Sequence, residues 1–204
     1  AEIFKAQGVD YIISGGQTMN PSTEDFVTAI SKVHADTIYI LPNNSNIIMA
    51  AKQAAEVTED KKIIVIETKS VPQGLSACIS FNPEEEVDAN TEAMNEAITL
   101  VKTGSVTYAV KDTMVDGKQI NSGDYMAILE KDIIFNEKDK LAVTKELIKN
   151  MCDEDTEVVT LIKGSEATDE ECEEIRQFIE QNYNVDIDVE DGQQPVYSFI
   201  IGAE

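Results

Sequence analysis

Over its first hundred residues the chain alternates short runs of branched apolar residues with stretches of helical periodicity, and this alternation restricts the fold more than any other feature. Residues 11–14, 37–41 and 62–67 are rich in Ile, Val and Tyr and are bounded by turn residues, as buried parallel strands are. Between the first two runs, Ser22 and Asp25 supply an N-cap, and Phe26, Ile30 and Val33 then recur on one helix face. After Asn43, the residues Ile47, Ala50, Ala51, Ala54 and Val57 form a narrow stripe whose alanines let a helix lie close to a sheet. Strict alternation of this kind predicts right-handed crossovers and a parallel sheet covered on both faces.

Beyond Pro72 the spacing predicts a short helix over 76–81 and a longer one over 85–101, with Gly104 as C-cap and domain seam. A meander follows: 106–110, an Asp116-Gly117 turn, 125–129, a Glu130-Lys131 turn and 133–135. The last part reads as helix 139–151, strand 158–162, helix 168–182 and strands 185–189 and 196–201. Thr168 and Glu171 form a capping box there, and Cys172, Ile175, Phe178 and Ile179 the apolar stripe. In 185–190 alternation points Asp186, Asp188 and Glu190 to water and Val185, Ile187 and Val189 to the core. The expected class is α/β, in two lobes. Residues 1–104 make a parallel-sheet lobe, and 105–204 an antiparallel meander with a second small α/β unit.

If strands 11–14, 37–41 and 62–67 are parallel, the loops leaving them gather beyond their carboxyl ends, where ligands bind such sheets. The first loop is Ser14-Gly15-Gly16-Gln17-Thr18-Met19-Asn20-Pro21-Ser22, in which paired glycines free backbone N–H groups to form an anion-accepting nest. It lacks both the dinucleotide glycine spacing and the phosphate-loop lysine. The second, Pro42-Asn43-Asn44-Ser45-Asn46, has more amides than one N-cap uses, and amides pair donors with acceptors. The third, Thr68-Lys69-Ser70-Val71-Pro72-Gln73-Gly74, brings the only cation of the three, suited to a phosphate, a carboxylate or an acidic partner side chain. The candidate binding residues are therefore Gly15, Gly16, Gln17, Thr18, Asn20, Asn43, Asn44, Asn46, Thr68, Lys69, Gln73 and Gly74.

Other chemistry finds little support. Acidic residues number 39 against 16 Lys and Arg, and a net charge of -23 repels nucleic acid and anionic lipid. The single His34 lies near a helix end, where an imidazole meets terminal carbonyls rather than a nucleophile. Cys78, Cys152 and Cys172 have neither metal-ligand nor disulfide-framework spacing and read as core residues of a cytoplasmic protein. Residues 186–192 superficially imitate a calcium loop, but the glycine comes one place late and the twelfth position is Tyr197. No apolar run is long enough to span a bilayer, so a membrane span is not expected. The start at Ala1, without an initiator Met and inside what reads as a helix end, suggests a piece of a longer chain.

The runs GGQTMNPS, LPNNSN and TKSVPQG, in this order and spacing, resemble the C-terminal region of the ATP-binding component of bacterial fatty acid kinase, from a dihydroxyacetone kinase-related family formerly labelled DAK phosphatase. VKTGSVTYAVKDT, DEDTEVVTLIKG and QPVYSFIIG extend the resemblance over nearly the whole chain. One departure is Asp191-Gly192-Gln193-Gln194-Pro195, where a Gly-Gly-Gln-Pro run is expected. The resemblance implies a fold akin to DegV proteins and the dihydroxyacetone kinase substrate domain. It implies a role in docking a separate DegV-type fatty-acid-binding protein, beside an N-terminal kinase domain of the same polypeptide. It places ATP and Mg outside this chain, with no cofactor, metal or catalytic residue within it. Alternatives are a phosphate- or carboxylate-binding domain and the phosphatase of the old label. A homodimer is left open.

Overall fold

The computed structural model describes residues 1–15 and 20–204. Its contacts divide into two compact units, Ala1–Leu100 and Val101–Glu204.

The first unit contains helix α1 (Glu2–Ala6), α2 (Thr23–Lys32), strand β1 (Thr37–Ile40), α3 (Ile48–Val57), β2 (Lys62–Val65), α4 (Val71–Ser80) and α5 (Val87–Leu100). β1 and β2 pair in parallel, with Thr37 opposite Lys62 and Ile40 opposite Val65. α2 starts from a complete capping box. Ser22 Oγ accepts from the Asp25 N–H at 3.2 Å, and the Ser22 N–H donates to the Asp25 carboxylate at 2.7 Å. The backbone bond from Ser22, then the side-chain bond, hold the Asp25 carboxyl below its ordinary range. The buried face of α2, Phe26 and Ile30, meets Ile47, Ala51 and Ala54 around α3, and both alanines are fully buried, as close packing requires. Val57, which ends α3, is exposed rather than part of the stripe.

Several expectations need correction here. Residues 11–14 are not a third strand: Tyr11, Ile12 and Ile13 line a cavity together with Thr37, Ile38, Tyr39 and Ile40 instead of forming a ladder with them. α4 starts at Val71, not at 76, because Ser70 Oγ accepts from the Gln73 N–H at 3.3 Å and Pro72 falls in the first turn, where its missing donor costs nothing. The carbonyls ending α2 are met not by His34, which is exposed to solvent, but by Lys61, whose Nζ donates to Ile30 O at 3.0 Å and Val33 O at 2.5 Å.

The second unit contains β3 (Lys102–Tyr108), β4 (Thr113–Val115), β5 (Lys118–Ile120), β6 (Tyr125–Leu129), β7 (Asp132–Glu137), α6 (Lys140–Met151), β8 (Val158–Lys163), α7 (Asp169–Asn182), β9 (Asp186–Asp191) and β10 (Phe199–Ala203). Six strands form one sheet in the order β7-β6-β3-β10-β8-β9. Within it only β8 and β9 are parallel; β10 runs antiparallel to both β3 and β8 and so joins the meander to the α/β segment in a single layer. α6 packs on β3, β6 and β7, and α7 on α6 and β9. Leu147, Ile148, Leu161, Ile175, Phe199 and Ile201 are fully buried at the centre.

Gly104 does not cap a helix. It lies inside β3, where a Cβ would come within 2.9 Å of Leu147 Cδ2 and closer still to Met151 Sδ, so the missing side chain lets α6 lie on the sheet. The two-residue turn between β4 and β5 puts Asp116 at φ 48° and Gly117 at φ 78°, as the Asp-Gly pair predicts. On β9, an edge strand, the alternation fails at its end: Val189 is exposed, and half-buried Glu190 has its carboxyl pushed up by desolvation and then by Asp188. β10 begins at Phe199 rather than 196, because Val196 takes φ 72°, a left-handed conformation no strand contains.

Candidate functional site

β1 and β2 both deliver their chains to one place. The Ile66 N–H donates to Ile40 O at 3.0 Å, extending the pairing by one bond just before the second and third loops begin. Asn43 then turns with φ 58°, a left-handed conformation that Asn tolerates better than most residues. This turn aims the Asn43 N–H at Thr68 Oγ1, 2.9 Å away, and Thr68 is wholly buried. The Asn43 side chain lies against Gly74 in the first turn of α4, where a Cβ would stand 2.7 Å from Asn43 Cγ and 2.9 Å from Nδ2. A side chain at 74 is therefore incompatible with Asn43 where it stands.

The second loop also reaches the first. Asn44 Nδ2 donates to Asn20 Oδ1 at 3.5 Å, while Asn44 Oδ1 accepts from the Asn46 N–H at 2.9 Å. The third loop is closed by Gln73, whose Oε1 accepts from the Lys69 N–H at 2.7 Å and whose Nε2 donates to Ile98 O at 3.2 Å, tying loop and α4 to α5. Residues of all three loops thus stand close together around hydrogen bonds that link one loop to the next. Their roles differ by burial: Thr68 and Gly74 are inside, Asn43, Asn44 and Gln73 half-buried, and Gly15, Asn20, Asn46 and Lys69 exposed. Gly16, Gln17 and Thr18 lie outside the described residues.

Lys69 takes part in no ion pair among the described residues. The nearest acid in sequence, Glu67, is held by Lys52 at 2.5 Å. Asn43 Oδ1 is buried with no hydrogen-bond partner among the described residues, a state that costs about 1–3 kcal/mol unless another group supplies a donor. No group of three or more His, Cys, Asp or Glu among the described residues could hold a metal ion. Nor is any described helix long and apolar enough to cross a membrane.

The sequence did not point to the cavity beside this cluster. Its volume is about 500 Å³, and its described lining includes Ile13, Phe26, Ile38, Phe81, Met94 and Asn43. Phe26 and Ile30 were legible as helix-face residues, but a gap between helix, strand and the 9–13 segment has no one-dimensional signature. Cys78 also lines it, half-buried, with its thiol pushed up by desolvation.

A family model for the C-terminal region of FakA-like fatty acid kinase subunits matches residues 1–204. Protein YloV of Bacillus subtilis is 49% identical over 205 residues, covering 100% of this chain and 37% of that protein. The chain thus spans little more than a third of that relative. Among solved structures, a DegV family protein of Corynebacterium glutamicum superposes with TM-score 0.69 at 10% identity, over 99% of this chain and 91% of its own. The fatty acid kinase (Fak) B3 protein of Streptococcus pneumoniae, loaded with linoleic acid, gives 0.64 at 14% identity, over 90% and 76%. The dihydroxyacetone kinase of C. freundii gives 0.59 at 9%, over 91% and 41%. At such identities these likenesses show the fold alone, a fold related to DegV proteins and to dihydroxyacetone kinase. The chain belongs to the FakA-like C-terminal family of fatty acid kinase.

Proposed function

We propose that this member of the FakA-like C-terminal family is the partner-docking region of a two-component fatty acid kinase. It would receive a DegV-type fatty-acid-binding protein so that a kinase domain elsewhere in the same polypeptide can phosphorylate the acyl group. On this reading ATP and Mg belong to that kinase domain, and this region positions the partner without taking part in the chemistry.

The observation that supports it most is the gathering of Asn20, Asn44, Asn46 and Lys69 at the carboxyl ends of β1 and β2. The exposed amides of Asn20 and Asn46, braced by half-buried Asn44, offer both donors and acceptors to a protein surface, and a lysine with no ion pair among the described residues, on a chain of net charge -23, is a local exception that an acidic group on the partner would find. The bonds beneath, from Asn43 to Thr68 and from Gln73 to Lys69 and Ile98, hold that surface in one conformation before binding, which lowers the ordering cost of association.

The test is calorimetric titration of the full-length kinase polypeptide with its acyl-loaded binding protein. Lys69→Glu combined with Asn44→Ala should weaken the Kd by roughly tenfold or more, with most of the lysine's share lost at high salt. An unchanged Kd would overturn the assignment of this surface. Unchanged kcat on acyl-loaded partner at saturation, with raised KM, would agree with docking rather than chemistry.

A further inference from the structure

Three features of the first unit meet in the segment 10–13. α2 and α3 pack together on one face of the β1–β2 pair, against Ile38, Ile40, Ile63 and Val65. Right-handed crossovers through two helices on the same face step across a sheet in the same direction, so the run before α2 belongs on the edge of β1 that β2 leaves free. The side chains of that run already keep a strand's period of two: Ile13 joins the cluster between α2 and α3, and the Tyr11 hydroxyl stands 3.4 Å from Lys32 Nζ of α2. The backbones, however, do not meet. Lys62 N–H donates to Asp36 O at 2.8 Å and Ile66 N–H to Ile40 O at 3.0 Å, and the register between these bonds turns Ile38 and Ile40 toward β2 and Tyr39 and Leu41 away from it. On that outer edge the backbone groups of Tyr39 and Leu41 have no main-chain partner among the described residues, and neither have those of Tyr11, Ile12 and Ile13. Both rows line the same cavity of about 500 Å³.

We infer that residues 10–13 form a strap that closes onto the free edge of β1 as a third parallel strand, and that the cavity is the space the strap leaves when it stands open. Closure pairs main-chain groups that the open arrangement leaves without partners and removes an apolar void, both of which favour it. The root of the strap stays fixed, because the Val9 N–H is held by Phe4 O of α1 at 3.2 Å. An apolar chain lying against Phe26, Ile38 and Met94 fits only the open arrangement, so filling the cavity shifts the strap off β1.

Amide hydrogen exchange of this chain, followed residue by residue by NMR, tests the strap, because the two edges of β1 report on different neighbours. Ile38 and Ile40 report the pairing with β2, and Tyr39 and Leu41 report the strap. The expected result is that the Tyr39 and Leu41 amides exchange within about tenfold of Ile38 and Ile40. An octyl chain attached to Cys78 through a methanethiosulfonate reagent then fills the cavity, which Cys78 lines while Cys152 and Cys172 are buried in the second unit. It should speed Tyr39 and Leu41 by about tenfold or more and leave Ile38 and Ile40 unchanged. Ile12→Pro with Ile13→Pro, which removes the strap's donors in either register, should do the same. Exchange at Tyr39 and Leu41 about a hundredfold faster than at Ile38 and Ile40 in the unaltered chain overturns the inference, since the strap then does not close. Exchange that neither the octyl chain nor the double variant alters also overturns it. Should the double variant speed Ile38 and Ile40 as well, the first unit has loosened, and the unaltered and octyl-bearing chains decide. Loss of partner binding in the calorimetric titration would leave this result untouched, so the two readings fail separately.

Discussion

Replacing Gly74 by Ala sets two effects of similar size against each other, and Asn43 decides which wins. In a helix, Ala is better than Gly by about 1 kcal/mol, so at an open position in α4 the substitution would stabilise. At Gly74 the new methyl would overlap Asn43, with Cγ at 2.7 Å and Nδ2 at 2.9 Å. Overpacking of this kind costs about 1–3 kcal/mol. Displacing Asn43 also endangers the bond from its N–H to buried Thr68, worth about 1 kcal/mol. Gly74→Ala should therefore destabilise the first unit by roughly 1–2 kcal/mol once the helix gain is subtracted. In an Asn43→Gly background the obstacle is gone and the left-handed backbone at φ 58° is retained, so the same substitution should stabilise by about 1 kcal/mol. The coupling between the two sites is then about 2–3 kcal/mol. Hydrogen exchange of the α4 amides is the suitable assay, because it reads the opening of that helix without assuming that both units unfold together. If Gly74→Ala has the same effect in both backgrounds to within about 0.5 kcal/mol, Asn43 is not held where the structure puts it and the loop cluster loses its foundation.

Three further outcomes follow from the second unit. Gly104→Ala should lower its stability by about 1–3 kcal/mol in urea unfolding, since the methyl meets Leu147 and Met151 of α6, and Leu147→Ala should relieve part of that cost. Gln193→Gly should raise stability by up to about 1 kcal/mol, because φ 50° strains a Gln and not a Gly, although the added freedom of the unfolded chain takes back part of the gain; a loss of stability on thermal melting would refute the strain argument. Asp124 has its carboxyl held low first by the Asn121 N–H, then by Lys138, against a smaller desolvation penalty, with Asn136 Nδ2 also donating at 3.0 Å. A depressed folded-state pKa gives stability that is present above the ordinary Asp range and is lost as pH falls through the folded value. Asp124→Asn should therefore flatten the acid limb of the stability-pH curve, and an unchanged slope below about pH 4 would count against it.

Local chemistry was legible wherever it was written in adjacent residues. Ser22 with Asp25 and Thr168 with Glu171 cap α2 and α7 as their spacing predicts, and the Asp116-Gly117 turn has the conformation that pair favours. The two parallel strands of the first unit were also readable, from apolar runs of the right length. What was hidden depends on partners distant in sequence. Residues 11–14 have the composition of a strand, but a ladder needs a neighbour at hydrogen-bonding distance, and nothing in the run itself says that a cavity intervenes. Gly104 looks like a helix stop until Leu147 and Met151 are placed over it. Three asparagines in one loop marked the candidate site; that one is turned inward, one braces its neighbour and one faces solvent could be assigned only from Thr68, Gly74 and Asn20. The departure at Gln193 was visible as a missing glycine, and its meaning came with the positive φ.

The position of β10 has a consequence in time. This strand comes last in sequence among the six of its sheet, yet it stands between β3 and β8, and its Phe199 and Ile201 belong to the fully buried core. During synthesis the earlier strands must wait, with β3 and β8 each presenting an unsatisfied edge, until the residues around Phe199 clear the ribosome. The first unit is built from Ala1–Leu100, all of which precede β10 in the chain. The order of emergence would thus let the loop surface form early, while the second unit passes through a window in which unpaired edges and a half-built core are exposed to chaperones and to other nascent chains.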